Sequence, residues 1–218
     1  MKGSSEIELI LLASTKVGEK SLVLHCLSRE YGRRSFICSI GKSYPMALFL
    51  PLNILRCTLH ENGKSELWRV SSPQLSFPLN SLRSDIHKNT MSLFISEVLY
   101  RSIREESSES ELYDWCLMKI LELNALQNDY SSFHLRFLLE LCEVLGFKAD
   151  LEGLSPFAGN HYEDIRALLS LDYSAFLLYP LNGRSRNEIA EILIKYLGYH
   201  LEIHLDIRSL RVLRELYA

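Results

Sequence analysis

Four side chains, His25, Cys26, Cys57 and His60, are the first candidates for chemistry in this sequence, because imidazole and thiolate are the usual ligands of zinc. Their spacing argues against a shared ion. In extended chain, residues one or three apart point to opposite faces, so at most one of each pair could reach the same metal. The five cysteines (Cys26, Cys38, Cys57, Cys116, Cys142) are odd in number, scattered and without a CxxC pair, and read as buried apolar side chains. Gly41-Lys42-Ser43 has the ending of a phosphate-cradling loop, but the opening glycine would stand at position 36, which is Phe36, and Pro45 follows too closely for a helix. No GxSxG and no Ser or Cys at a strand-to-helix elbow is present. Neither a catalytic centre nor a cofactor is expected.

The chemistry that remains is non-covalent. Lys16, Lys20, Arg29, Arg33, Arg34, Lys42, Arg56 and Arg69 are interleaved with Tyr31, Phe36, Tyr44 and Trp68. Cations that neutralise phosphates, beside aromatic faces on which bases stack, are what a nucleic-acid surface requires. Phe36 shares a face with Cys38 and Ile40 and is expected in the core; Arg33, Arg34 and Lys42 fall at turns or strand ends, where long cations reach outward. Residues 1–80 hold ten Lys/Arg and six Asp/Glu, a net of +4, whereas the remainder carries −7. A polyanion is therefore expected on the first part.

The elements that position these residues change character near residue 80. Before it the period is two: Ile7, Leu9, Leu11 and Ala13 alternate with Glu8, Ile10 and Leu12, and Leu22, Leu24 and Cys26 with Val23, His25 and Leu27. Turn residues punctuate the strands at 16–19, 29–32 and 41–45, and Asn62-Gly63 signals a hairpin between 55–61 and 65–70. About five strands in this length predict a small closed barrel of the OB type, which presents a face to oligonucleotides. After Pro73 and Pro78 the apolar residues take helical spacing, predicting helices at 109–126, 132–145, 162–170, 186–197 and 209–216. Ser108 with Glu111 and Ser185 with Glu188 read as capping boxes, and Gly146 as a helix stop. Residues 149–160, with Gly153, Pro156 and Gly159, read as a loop. The expected fold is α+β, with an OB barrel over 1–80 and an all-α part over 81–218. The longest apolar run, near 47–52, is too short for a bilayer span, and no secretory signal is evident, so a cytoplasmic protein is expected.

Within this frame, Gly18-Glu19-Lys20-Ser21, Leu22-Val23, Leu27-Ser28 and Gly32-Arg33 resemble the opening of the RecO family of bacterial recombination mediators. The later stretches Leu93-Phe94-Ile95-Ser96-Glu97-Val98-Leu99-Tyr100, Phe133-His134-Leu135-Arg136-Phe137-Leu138-Leu139, Leu145-Gly146-Phe147 and Ser209-Leu210-Arg211-Val212-Leu213-Arg214-Glu215 look like its Bacteroidetes-type version, in the same order.

The resemblance implies an OB barrel packed on helices that binds single- and double-stranded DNA and anneals complementary strands. It also implies work with RecR and single-stranded DNA-binding protein to help RecA load. DNA contacts are then expected at Lys16, Lys20, Arg29, Arg33, Arg34, Lys42 and Arg56. The acidic C-terminal tail of single-stranded DNA-binding protein is expected at an apolar slot rimmed by cations, drawn from Arg101, Arg104, Lys119 and Arg136. Ordinary pairing with Glu97, Glu105, Glu122 or Glu140 competes for those four. Two departures stand out. The basic cluster usual after the third strand is reduced to Ile40-Gly41-Lys42-Ser43, which makes an interaction adaptor with a weakened DNA grip the alternative reading. The four-cysteine zinc module of some members has no counterpart in 149–161, so zinc is not expected.

Overall fold

The computed structural model describes residues 4–40, 44–61, 67–105 and 110–216. Strands β1 (Ser4–Val17), β2 (Ser21–Ser28), β3 (Gly32–Ser39), β4 (Ile54–His60) and β5 (Trp68–Leu75) close into a barrel in the order β1-β2-β3-β5-β4. Neighbours run antiparallel except β3 and β5, which are parallel. This is the five-stranded OB arrangement, and helices follow it as expected. The hairpin signal at Asn62-Gly63 lies outside the described residues, but its flanks pair antiparallel, Leu59 with Val70 and His60 with Arg69. Gly41-Lys42-Ser43 also lies outside them.

The change of period after Pro73 comes slightly late, because β5 carries Pro73 within it. Arg56 faces Gln74 and Thr58 faces Ser71, so Ser72 and Pro73 oppose the single residue Cys57. Proline is tolerated at such a bulge, where the ladder asks for no N–H. Ser72 takes the local twist, with φ of 52°.

The barrel interior holds Ile7, Leu9, Leu11, Leu24, Cys26, Phe36, Leu55, Cys57 and Val70, closed at one end by Phe49 from a 3-10 turn at Met46–Phe49. Phe36 is fully buried, as its alternation with Cys38 predicts. The outward residues Ile10, Leu12, Leu27, Leu52 and Ile54 are equally buried, because they belong to the core of the helical part. β1 is thus apolar on both faces: one row fills the barrel and the other seats it on helices. Each such aliphatic side chain contributes about 1.5–3 kcal/mol on burial.

The helices are α1 (Asn80–Ser84), α2 (Ile86–Ser102), α3 (Ser110–Ala125), α4 (Phe133–Val144), α5 (Leu151–Ala158), α6 (Tyr162–Ser170), α7 (Tyr173–Leu178), α8 (Gly183–Leu201) and α9 (Ser209–Leu216). Asp85 caps α2, accepting the His87 and Lys88 N–H groups at 2.8 and 3.2 Å. Gly146, at φ of 86°, ends α4 as read: the Phe147 N–H reaches the Cys142 carbonyl and the Gly146 N–H that of Glu143, the two bonds of a Schellman stop. Arg83 ties the parts together, donating to the Pro51 carbonyl (2.5 Å) and to Asn53 Oδ1 (2.7 Å); burial lowers its pKa to about 10.

Two expectations are corrected. Residues 149–160 are not a loop: α5 occupies most of them, capped by Asp150, which accepts the Gly153 N–H at 2.9 Å. The carbonyl of Glu152, deprived of its helical donor by Pro156, takes the Ser155 hydroxyl at 3.0 Å instead. Gly153 is there for packing, since a Cβ would stand 2.9 Å from the Tyr196 hydroxyl of α8. The second correction concerns α8, which starts at Gly183 under an Asn182 cap that accepts the Ser185 N–H at 2.8 Å. Glu188 is drawn away from any capping box by Arg184 (2.8 Å) and His161 (2.6 Å). The other capping box, at Ser108, lies outside the described residues.

Among the described residues no helix is long and apolar enough to cross a membrane.

Candidate nucleic-acid interface

A barrel of this kind offers its outer surface, and here the helices divide that surface. α2 and α3 pack on β1 and β2. Tyr100 of α2 lies against His25, ring centroids 5.1 Å apart, and Tyr113 of α3 donates to Glu8 at 2.8 Å. On the other side, Ser39, Arg56, His60 and Arg69 are exposed. Strand alternation places these four, with Ser35, Ile37 and Ser71, outward from β3, β4 and β5. Their polar groups are held in pairs: Arg69 Nη1 donates to Ser39 Oγ at 3.2 Å, and His60 Nε2 shares a 2.7 Å hydrogen bond with Ser71 Oγ.

At the β4–β5 end of this face stands an aromatic and cationic group. Arg34 faces the interior row opposite Cys26, but at the barrel mouth, where its guanidinium carbon lies 3.7 Å from the centroid of the Trp68 ring. Tyr31 meets Trp68 edge-on at 5.0 Å and donates to Glu61 at 2.7 Å. At the opposite end, Lys16 and Lys20 are exposed around the β1–β2 turn, and the Lys20 carbonyl accepts the Ile40 N–H at 2.8 Å.

Three further barrel cations among the described residues are paired with carboxylates. Arg29 pairs with Asp114 of α3. Arg33 lies 3.4 Å from Glu105 and over the Tyr100 ring at 5.0 Å, with its side chain only 15% exposed, so it serves the seam between barrel and helices. Arg56 is 3.4 Å from Glu6 in an exposed pair. Lys42 lies outside the described residues.

The four helical cations do not form one cluster. Arg101 pairs with Glu97 at 3.1 Å. Lys119 is buried between Glu122 (2.9 Å) and Glu140 (2.6 Å), and Arg136 reaches the same Glu140 at 2.6 Å. Burial raises the Glu140 pKa, but the two cations outweigh it and hold the carboxyl below its usual range. Arg104 lies elsewhere, lining a cavity of about 400 Å³ with Leu112, Leu145 and Phe147.

The sequence of both parts matches one family. The models "Recombination protein O N terminal" and "Recombination protein O C terminal" match residues 1–77 and 83–154, together more than half of the chain. The chain belongs to the RecO family. Relatives named DNA repair protein RecO align nearly end to end: that of Phocaeicola vulgatus is 26% identical over 96% of this chain and 97% of its own. Those of Flavobacterium psychrophilum (29%, with 96% and 97% covered) and Bacteroides fragilis (25%, with 95% and 97%) are similar. The RecO-like motifs fall on definite elements. Gly18-Glu19-Lys20-Ser21 makes the β1–β2 turn, with Gly18 at φ of 64°; Leu27-Ser28 ends β2; and Leu145-Gly146-Phe147 is the stop after α4. In this RecO chain the neutral residues Ser39, His60 and Ser71 join Arg69 on the open face, and strand parity is the sequence signal that could have singled them out.

Proposed function

We propose that this RecO-family DNA repair protein is a non-enzymatic recombination mediator of the cytoplasm and nucleoid. Its barrel, residues 1–80, binds single- and double-stranded DNA and brings complementary strands together. With RecR it helps load RecA on DNA coated by single-stranded DNA-binding protein. Annealing then needs no active site, because neutralising phosphates and juxtaposing strands removes the main repulsion. One observation carries the DNA reading: besides the seam residue Arg33, β3, β4 and β5 hold Arg34, Arg56 and Arg69 and no Asp or Glu. Lys16, Lys20, Arg34 and Lys42 are the first contacts to test, with Arg56 after loss of its Glu6 partner. The helical part, 81–218, takes the acidic tail of single-stranded DNA-binding protein, with Arg104, beside its cavity, as the first candidate cation.

A second reading, an adaptor with little DNA affinity, has its own support: Arg29, Arg33 and Arg56 are already paired with Asp114, Glu105 and Glu6. Binding of a labelled single-stranded oligonucleotide, titrated with salt, separates the two. The mediator shows a linear fall of log K with log salt, several units steep; the adaptor shows no saturable binding even at low salt.

A further inference from the structure

Strand β2, part of the face that OB barrels commonly offer to oligonucleotides, and its neighbour β1 have their outward side covered here over the half nearer the helices, whereas Thr15 and Val17 at the turn end are exposed. Leu12 and Leu27 are in the helical core and Tyr100 covers His25, and the seam reaches the first residues of β3, where Arg33 is held by Glu105. A strand of nucleic acid could not lie there without displacing α2. We propose that single-stranded nucleic acid instead follows a track over β3, β5 and β4, running from the Tyr31–Trp68–Arg34 group to the β1–β2 turn. The proposal rests on the DNA reading above and assigns it a surface.

Three features of that surface fit a single strand. Its strands carry positive charge alone: Arg69 points outward with Arg56 beyond it, and no carboxylate occurs in β3, β4 or β5. The carboxylates nearby stand at its edges, Glu6 beside Arg56, Glu61 at Tyr31, and Glu19 between the exposed Lys16 and Lys20 at the far end. Its neutral groups are donors suited to phosphate and sugar oxygens, namely Ser39 and Ser71 with His60. Its end carries Trp68, already fixed by Tyr31 and Arg34 and therefore ordered before any base arrives. The open part of β3, residues 35–39, is about 16 Å long, and the β1–β2 turn extends the track beyond it.

Trp68 and Trp115 are the two tryptophans of the chain, so Trp115→Phe leaves one reporter on the track. In that full-length variant, Trp68 emission is followed while oligothymidylate is added, and anisotropy of the labelled oligonucleotide is read in parallel. Saturable quenching of Trp68 is expected with the same midpoint as the anisotropy. Arg69→Ala should then weaken binding roughly five- to tenfold and lower the salt slope by about one unit. Binding by anisotropy with unchanged Trp68 emission and no effect of Arg69→Ala would overturn the track while leaving DNA binding intact. No anisotropy change at low salt would remove the DNA reading itself, and the track with it.

Discussion

Glu97 in the middle of α2 caps a helix that begins 112 residues later: its carboxylate accepts the Ser209 N–H at 2.8 Å and the Ser209 hydroxyl at 2.6 Å. It also takes the Arg208 N–H at 3.2 Å, and Arg101 steadies it from the next turn of α2. α9 therefore receives its N-terminal acceptor from another helix rather than from its own sequence.

Glu97→Ala should free α9 and destabilise the protein by roughly 1–3 kcal/mol, the range for losing a cap or a charged acceptor. Chemical denaturation measures it, and Ser209→Ala should cost less, because the two backbone N–H bonds survive. Burial raises the Glu97 pKa, but the Ser209, Arg208 and Arg101 donors outweigh it and leave it lowered. The unfolded chain then binds more protons, so this contribution is whole above the ordinary carboxylate range and fades as pH falls through the folded value. In Glu97→Ala that part of the acid dependence should vanish.

His161 links α6 to α8, bonded to Asp164 at 3.1 Å and Glu188 at 2.6 Å. Burial lowers its pKa, yet the two carboxylates prevail and raise it above 6.5. The sign is opposite to that of Glu97: the stabilisation is whole below 6.5 and is lost as pH rises through the folded value. The difference in Tm between the native protein and His161→Gln should shrink accordingly from mildly acid to mildly alkaline buffer. A difference independent of pH would mean that the imidazole serves there only as a neutral hydrogen-bonding group.

Gly153→Ala places a methyl group 2.9 Å from the Tyr196 hydroxyl, itself bound to the Lys148 carbonyl at 2.6 Å. In an exposed helix this exchange would stabilise; here crowding should win and cost roughly 1–3 kcal/mol. Thermal unfolding of the variant decides it.

Arg33→Ala should loosen the barrel from the helices more than it weakens any ligand. A loss of about 1 kcal/mol is expected from the Tyr100 and Glu105 contacts together. The salt slope of DNA binding should stay where it was, whereas Lys20→Ala should lower it by about one unit.

Local pattern by itself determined much of this protein. The alternation of Ile7, Leu9 and Leu11, the helical spacing around Val98, and the glycine stop at Gly146 act over a few residues, so the barrel and most helices are legible along the chain. Nearest-neighbour chemistry also marked the basic first part. Only the tertiary structure decided where each cation is held. Arg33 and Arg34 are adjacent in sequence, yet one turns into the helical seam and the other onto Trp68, because strand parity sends them to opposite sides and α2 covers only one. Gly153 and Pro156 look like breakers until Asp150 supplies a cap and Tyr196 requires the close approach. A charge or a glycine takes its role from residues tens of positions away, and pattern along the chain does not carry that information.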